Sequence, residues 1–156
     1  MKGFMLDTNL FNGLVDGKAS LNVFRGKTLL ATHVQLDELN ATSDITRREK
    51  LVSMFKLVQA GTLPTSTSVW DDTPWDGGNW SDNDNLYNDM LADLRKRDKA
   101  AGKRPKGLNQ SRDVRIAETA IKNDLTLVTD DKNLRFVTAK FKGNAICLHQ
   151  FEKIPI

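Results

Sequence analysis

The sequence predicts an α/β fold in three layers, a central parallel sheet flanked by helices, and two observations carry that prediction. Short apolar runs stop abruptly at turn-forming residues, as Phe4-Met5-Leu6 does at Asp7-Thr8-Asn9, and between these runs lie stretches whose apolar residues recur at helical spacing. Strands that alternate with helices in this way pair in parallel, because each helix carries the chain back across the sheet.

Each element follows from its own residues. Phe4-Met5-Leu6 forms the first strand and leaves Asp7 at its carboxyl end. Leu10, Phe11, Leu14 and Val15 repeat as a short helix, which Gly13 weakens and Gly17 ends. Thr28 to Thr32 reads as a second strand, leading into a helix with Val34, Leu36, Glu38 and Leu39. From a cap at Asp44 or Thr46, the residues Ile45, Leu51, Val52, Phe55 and Val58 make an amphipathic stripe that ends at Gly61. Pro64, Pro74, Gly77 and Gly78 then stand among many Ser, Thr, Asn and Asp, and the segment to Asn85 reads as an irregular loop. A helix resumes near Leu86, carries Met90, Leu91, Leu94 and the basic Arg95-Lys96-Arg97, and stops near Ala101 before Gly102 and Pro105. Ser111 is placed to cap a helix with Val114, Ile116, Ala117, Ala120 and Ile121. Leu125 to Thr129 is a strand followed by the turn Asp130-Asp131-Lys132-Asn133, and Ala145 to Leu148 is the last strand. The expectation is one domain over residues 1–156 with an irregular and basic insertion at about 62–110.

The 156 residues, 39% hydrophobic and 28% charged, suit one globular domain with its own core and exclude collagen-like and disordered classes. The net charge of +3 is a small excess of 23 basic over 20 acidic side chains, so its distribution is more informative than its sum. A single cysteine, Cys147, forms no internal disulfide and is read as a small buried hydrophobe on a strand. His33 and His149 are too few and too far apart for a zinc site. No apolar stretch approaches the ~20 residues that span a bilayer, and Asp7 interrupts any signal-peptide core, so the reading is a cytoplasmic protein without a membrane role.

The acids carry the chemistry. Ligands of open parallel sheets bind beyond the carboxyl ends of the strands. Asp7 ends the first strand there, Glu38 follows the second, and Asp130-Asp131 follow the strand that ends at Thr129. Asp113 shares a helix face with Ile116, Ala117 and Ala120, where an ionised carboxylate is costly unless it has a partner; capping its own helix or pairing with Arg112 or Arg115 is the plainer alternative. Gathered carboxylates repel and raise one another's pKa unless a multivalent cation neutralises them. Oxygen ligands without thiolates suit Mg²⁺ or Mn²⁺, ions that also bridge to phosphate oxygens, and this points to a phosphodiester substrate.

Met5-Leu6-Asp7-Thr8-Asn9 resembles the opening of PIN-domain nucleases, as in the VapC-type toxins of toxin–antitoxin systems. Glu38-Leu39 is similar to the family's second acid, and Asp113-Val114-Arg115-Ile116-Ala117-Glu118-Thr119-Ala120 to its third-acid helix. Leu127-Val128-Thr129-Asp130-Asp131 resembles the final strand and its turn, with Asp131 as the fourth acid. The long stretch from Thr62 to Gln110 departs from compact members. The resemblance implies a PIN-like fold and metal-dependent endoribonuclease activity, often in a dimeric toxin held by an antitoxin. It implies Asp7, Asp113 and Asp131 as metal ligands, with Glu38 binding metal or orienting the attacking water. Thr8, Asn9 and Thr129 would support these carboxylates, and Asp130 is a rival to Asp131 whose plainer role is in the turn.

Around the third acid lie Arg95, Lys96, Arg97, Lys99, Lys103, Arg104, Lys106, Arg112 and Arg115, a track for a phosphate backbone or else a solvated helix face. Trp70, Trp75 and Trp80 anchor the irregular loop to its own domain, or face a partner. The rival function is a nucleic-acid-binding or interaction protein without catalysis, whose binding persists in chelator. A phosphotransfer hydrolase is a weaker rival, because Asn9 stands where such enzymes have a second Asp.

Overall fold

The computed structural model describes residues 2–58, 61–65, 85–104 and 108–155. Trp70, Trp75, Trp80, Lys106 and most of the irregular 62–85 loop lie outside the described residues.

Five strands, β1 (Phe4–Leu6), β2 (Leu29–Ala31), β3 (Gly61–Thr62), β4 (Thr126–Val128) and β5 (Asn144–Ile146), form one parallel sheet in the order β3-β2-β1-β4-β5. β1 is central, in register Phe4 to Leu29 on one side and Phe4 to Thr126 on the other. The helices are α1 (Asn9–Val15), α2 (His33–Asn40), α3 (Ile45–Val58), α4 (Leu86–Ala100), α5 (Leu108–Lys122), α6 (Lys132–Lys140) and α7 (Leu148–Glu152), with a 3-10 turn over Leu21–Phe24.

Strand periodicity divides the core in two. Phe4, Leu6, Leu29, Ala31 and Val128 face one side and pack with residues of α1, α3 and α7, among them Phe11, Leu51, Phe55 and Phe151. Met5 and Leu127 face the other side and pack with Met90, Leu94, Val114, Ile116, Ala117, Leu134 and Val137 of α4, α5 and α6. Burial on both faces explains why the strands read as unbroken apolar runs.

Three expectations need correction. Helix α5 begins at Leu108, so Ser111 lies inside it, buried, with its Oγ 2.6 Å from the Tyr87 hydroxyl rather than capping. The turn at Asp130 to Asn133 opens into α6, which the turn-rich residues concealed. The last strand ends at Ile146, and half-buried Cys147 is the N-cap of α7 rather than a buried strand residue. Among the described residues no helix is long and apolar enough to cross a membrane.

Candidate active site

Adjacent parallel strands whose crossovers leave in opposite directions open a crevice at their carboxyl ends, and here that happens between β1 and β4. A cleft of about 520 Å³ lies there, and Asp7, Asn9, Lys103, Asp130, Asp131 and Asn133 are in its lining.

Asp7 follows β1 directly and is 3% exposed. Its backbone N–H donates to Val128 O at 2.9 Å, and the Thr129 hydroxyl donates to its Oδ2 at 2.7 Å. Burial pushes its carboxyl pKa up; the Thr129 bond opposes this and the charge of Asp131 adds to it. Asp131 is the N-cap of α6, its Oδ1 accepting from the N–H groups of Asn133 at 2.9 Å and Leu134 at 3.1 Å. Its own N–H donates to the Thr129 hydroxyl at 3.2 Å, so one threonine links the two acids.

Glu38 and Asp113 come from helices fastened to the same edge. Gln35, one turn before Glu38, donates from Nε2 to Leu6 O at 3.2 Å and accepts from Thr32 N–H at 2.8 Å, tying the start of α2 to the end of β1. Asp113 projects from α5, and its carboxyl pKa is pushed up to about 9 by burial first and then by the charges of Asp7, Glu38, Asp131 and Asp98. Asp113 therefore feels the other three predicted acids and Asp7 feels Asp131, although Asp113 and Glu38 are not among the cleft's lining residues.

The supporting residues divide. Thr129 and buried Thr8 sit against the acids, while Asn9 is exposed at the cleft. Asp130 lines the cleft too, but its Oδ1 accepts from Leu148 N–H at 3.0 Å and so holds the start of α7.

The basic residues divide more sharply. Arg95, Lys96, Lys99 and Arg104 are exposed and Arg112 is half-buried. Arg115 is a correction: it is 0% exposed, with Nη2 3.1 Å from His33 Nε2, because its helix face points into the core rather than toward a phosphate backbone. Arg97 is held by Asp93 at 3.1 Å and covers the Phe136 ring. Lys103 stands within the site, its Nζ 3.4 Å from Asp98 and 3.5 Å from Asp131. Gly102, at φ +73°, ends α4 and lets the Lys103 N–H donate to Asp98 O at 2.9 Å.

Asp98 is the residue that sequence reasoning missed. It is 7% exposed and accepts from Gln110 Nε2 at 2.7 Å and Asn133 Nδ2 at 2.8 Å. Burial would raise its pKa, but these bonds and Lys103 hold it below the ordinary carboxylate value. Its neighbours Arg97 and Lys99 suggested a solvated run, yet it follows Leu91 and Leu94 on the buried stripe, the same signal that singled out Asp113.

The donors suit a hard divalent cation in type: oxygen ligands, thiolate-free, and crowded enough that Asp113 retains its proton well above the ordinary carboxylate range. Among the described residues no three acidic, His or Cys side chains form a ready-made cage. The fit is that of an ion held by few carboxylates and its own waters, as Mg²⁺ is.

No protein-family model matches the chain, and neither does any curated protein. Among solved structures the chain is similar to VapBC2 from Rickettsia felis bound to a promoter DNA fragment, at 16% identity and TM-score 0.48, covering 92% of this chain and 97% of that one. It is also similar to DNA-bound VapBC from Salmonella typhimurium, at 17% identity and TM-score 0.48, covering 94% and 98%. A third is VapBC-5 from Mycobacterium tuberculosis, a toxin–antitoxin family member, at 19% identity and TM-score 0.43, covering 94% and 98%.

Proposed function

We propose that this chain is a PIN-domain endoribonuclease of the VapC type, dependent on Mg²⁺ or Mn²⁺ and hydrolysing RNA phosphodiester bonds. The observation that carries the reading is that Asp7 and Asp131, far apart in the chain, line one cleft at the carboxyl edge of the parallel sheet and are joined through Thr129, with the charges of Asp7, Glu38 and Asp131 acting on Asp113.

In this reading Asp7, Asp113 and Asp131 hold the cation, directly or through water, and Glu38 orients the attacking water. A bound dication would supply Lewis acidity to the scissile phosphate and to that water, and would stabilise the leaving oxygen. Thr129 holds Asp7 in one orientation by its 2.7 Å bond, with the backbone N–H groups of Thr8 and Asn9 also supporting the carboxylate. Lys103, at the mouth of the cleft, is within reach of Asp131 and so of a phosphate drawn to it. Asn9 and Asp130 border the same opening. Arg95, Lys96, Lys99 and Arg104 supply the long-range attraction for the backbone. By the motif resemblance, an antitoxin chain and a second copy are the protein partners of this reading, and a cytoplasmic setting goes with them.

The test is incubation of a mixed RNA pool with and without Mn²⁺, mapping cut sites for the parent, Asp7→Ala and Asp113→Asn. The parent cuts only with the ion, and each variant loses at least about a hundredfold in rate, as loss of a principal electrostatic group does. Cleavage by Asp7→Ala at the parent's rate, or cleavage by the parent in chelator, would end this reading.

A further inference from the structure

Building on the nuclease reading, we propose that the exposed face of α6 is a track for single-stranded RNA, on which Phe136 stacks an unpaired base and Lys132 and Lys140 hold phosphates to either side. Lys132, Phe136 and Lys140 are all exposed and recur every fourth residue, so they form one stripe with steps of about 6 Å along the helix. The stripe begins at the acids. Asp131 caps α6, and Lys132 lines the cleft beside Asp7 and Asp131.

Phe136 is 52% exposed, and the Arg97 guanidinium lies 3.5 Å from its ring centroid. Asp93 holds the cations around it, accepting from Arg97 Nε at 3.1 Å and from Lys140 Nζ at 3.0 Å. An aromatic ring with a guanidinium over it and an exposed lysine one turn away to either side along the helix matches a base between phosphates, whereas an apolar protein patch would meet that guanidinium. Stacking is available only to a base not already stacked in a duplex, which is what makes the surface selective for single strands.

The test measures binding of the full chain, in chelator, to a short fluorescent single-stranded RNA of mixed sequence and to the same RNA annealed to its complement. Phe136→Leu keeps an apolar side chain under Arg97; it is expected to weaken single-strand binding about tenfold and duplex binding by less than about twofold. Phe136→Trp restores single-strand binding. Equal melting temperatures of parent and variants establish that the fold is intact. Lys132→Gln gives an independent measure, a salt slope shallower by about one. If the parent cuts RNA with Mn²⁺ while Phe136→Leu binds single strands like the parent, the track is wrong and the nuclease stands. If the parent neither binds nor cuts RNA, both are wrong.

Discussion

At the scale of single residues, Asp113 couples the site to stability. Burial and four neighbouring acids raise its carboxyl pKa from 3.8 to about 9 in the folded chain. Between those values the folded state keeps a proton that the unfolded state has released, so folding stability falls as pH rises through that window. The metal-free protein is therefore expected to lose stability from pH 5 to pH 8, and Asp113→Asn to lose less, because an amide has no proton to give up. Urea unfolding in chelator at the two pH values checks this; parallel losses would detach Asp113 from the cluster. Asp7, Glu38, Asp113 and Asp131 could be singled out from the sequence because each acid follows a strand or interrupts an apolar stripe, and their roles rest on the proposed reading. Arg115 was misread for the converse reason. Its position between Val114 and Ile116 gives a charged residue no sign of direction, and only the packing of α5 against α2 reveals that it points inward.

At the scale of elements, the site depends on how three helix ends are locked together. Asp98 near the end of α4 receives Gln110 from the first turn of α5 and Asn133 from the first turn of α6, and those helices carry Asp113 and the Asp131 cap. Asp98→Ala leaves the buried Gln110 amide without its acceptor, at about 1–3 kcal/mol, and frees the half-buried Asn133 amide at the cleft for less, which for a chain of this size lowers the melting temperature by several degrees, about 2–4 °C per kcal/mol. Differential scanning calorimetry in chelator measures this, and an unchanged midpoint would reduce Asp98 to a bystander. Strand ends and amphipathic helices were readable, since apolar periodicity is a local property. Helix α6 was not, because Asp-Asp-Lys-Asn is turn chemistry and its apolar stripe is only Leu134, Val137 and Phe141, too short to outweigh it. The clasp at Asp98 is tertiary and has no local pattern beyond one acid on a buried stripe.

At the scale of the whole molecule, the order β3-β2-β1-β4-β5 is what makes residues from 7 to 131 neighbours: the central strand delivers Asp7, the strand beside it delivers Asp131, and α2 and α5 bring Glu38 and Asp113 to the same edge. The unfolded chain has no such gathering, so an ion that binds these acids binds the folded state and stabilises it by mass action. At about a hundred times its dissociation constant the gain is about 2.7 kcal/mol, a rise of about 5–10 °C in melting temperature at this chain length. The parent is therefore expected to melt higher in Mn²⁺ than in chelator, and Asp7→Asn and Asp113→Asn to show little of that rise. The two variants should also melt at or above the parent in chelator, because a buried Asp among like acids must either hold its proton, at a cost that grows with pH, or carry a repelled charge, and an amide does neither. This pairing separates a metal centre from a set of structural acids: caps and ion pairs would lose stability on substitution and gain nothing from the ion. A parent whose melting temperature is indifferent to Mn²⁺, with variants that melt lower in chelator, would mean that the fold brings these carboxylates together for reasons other than catalysis.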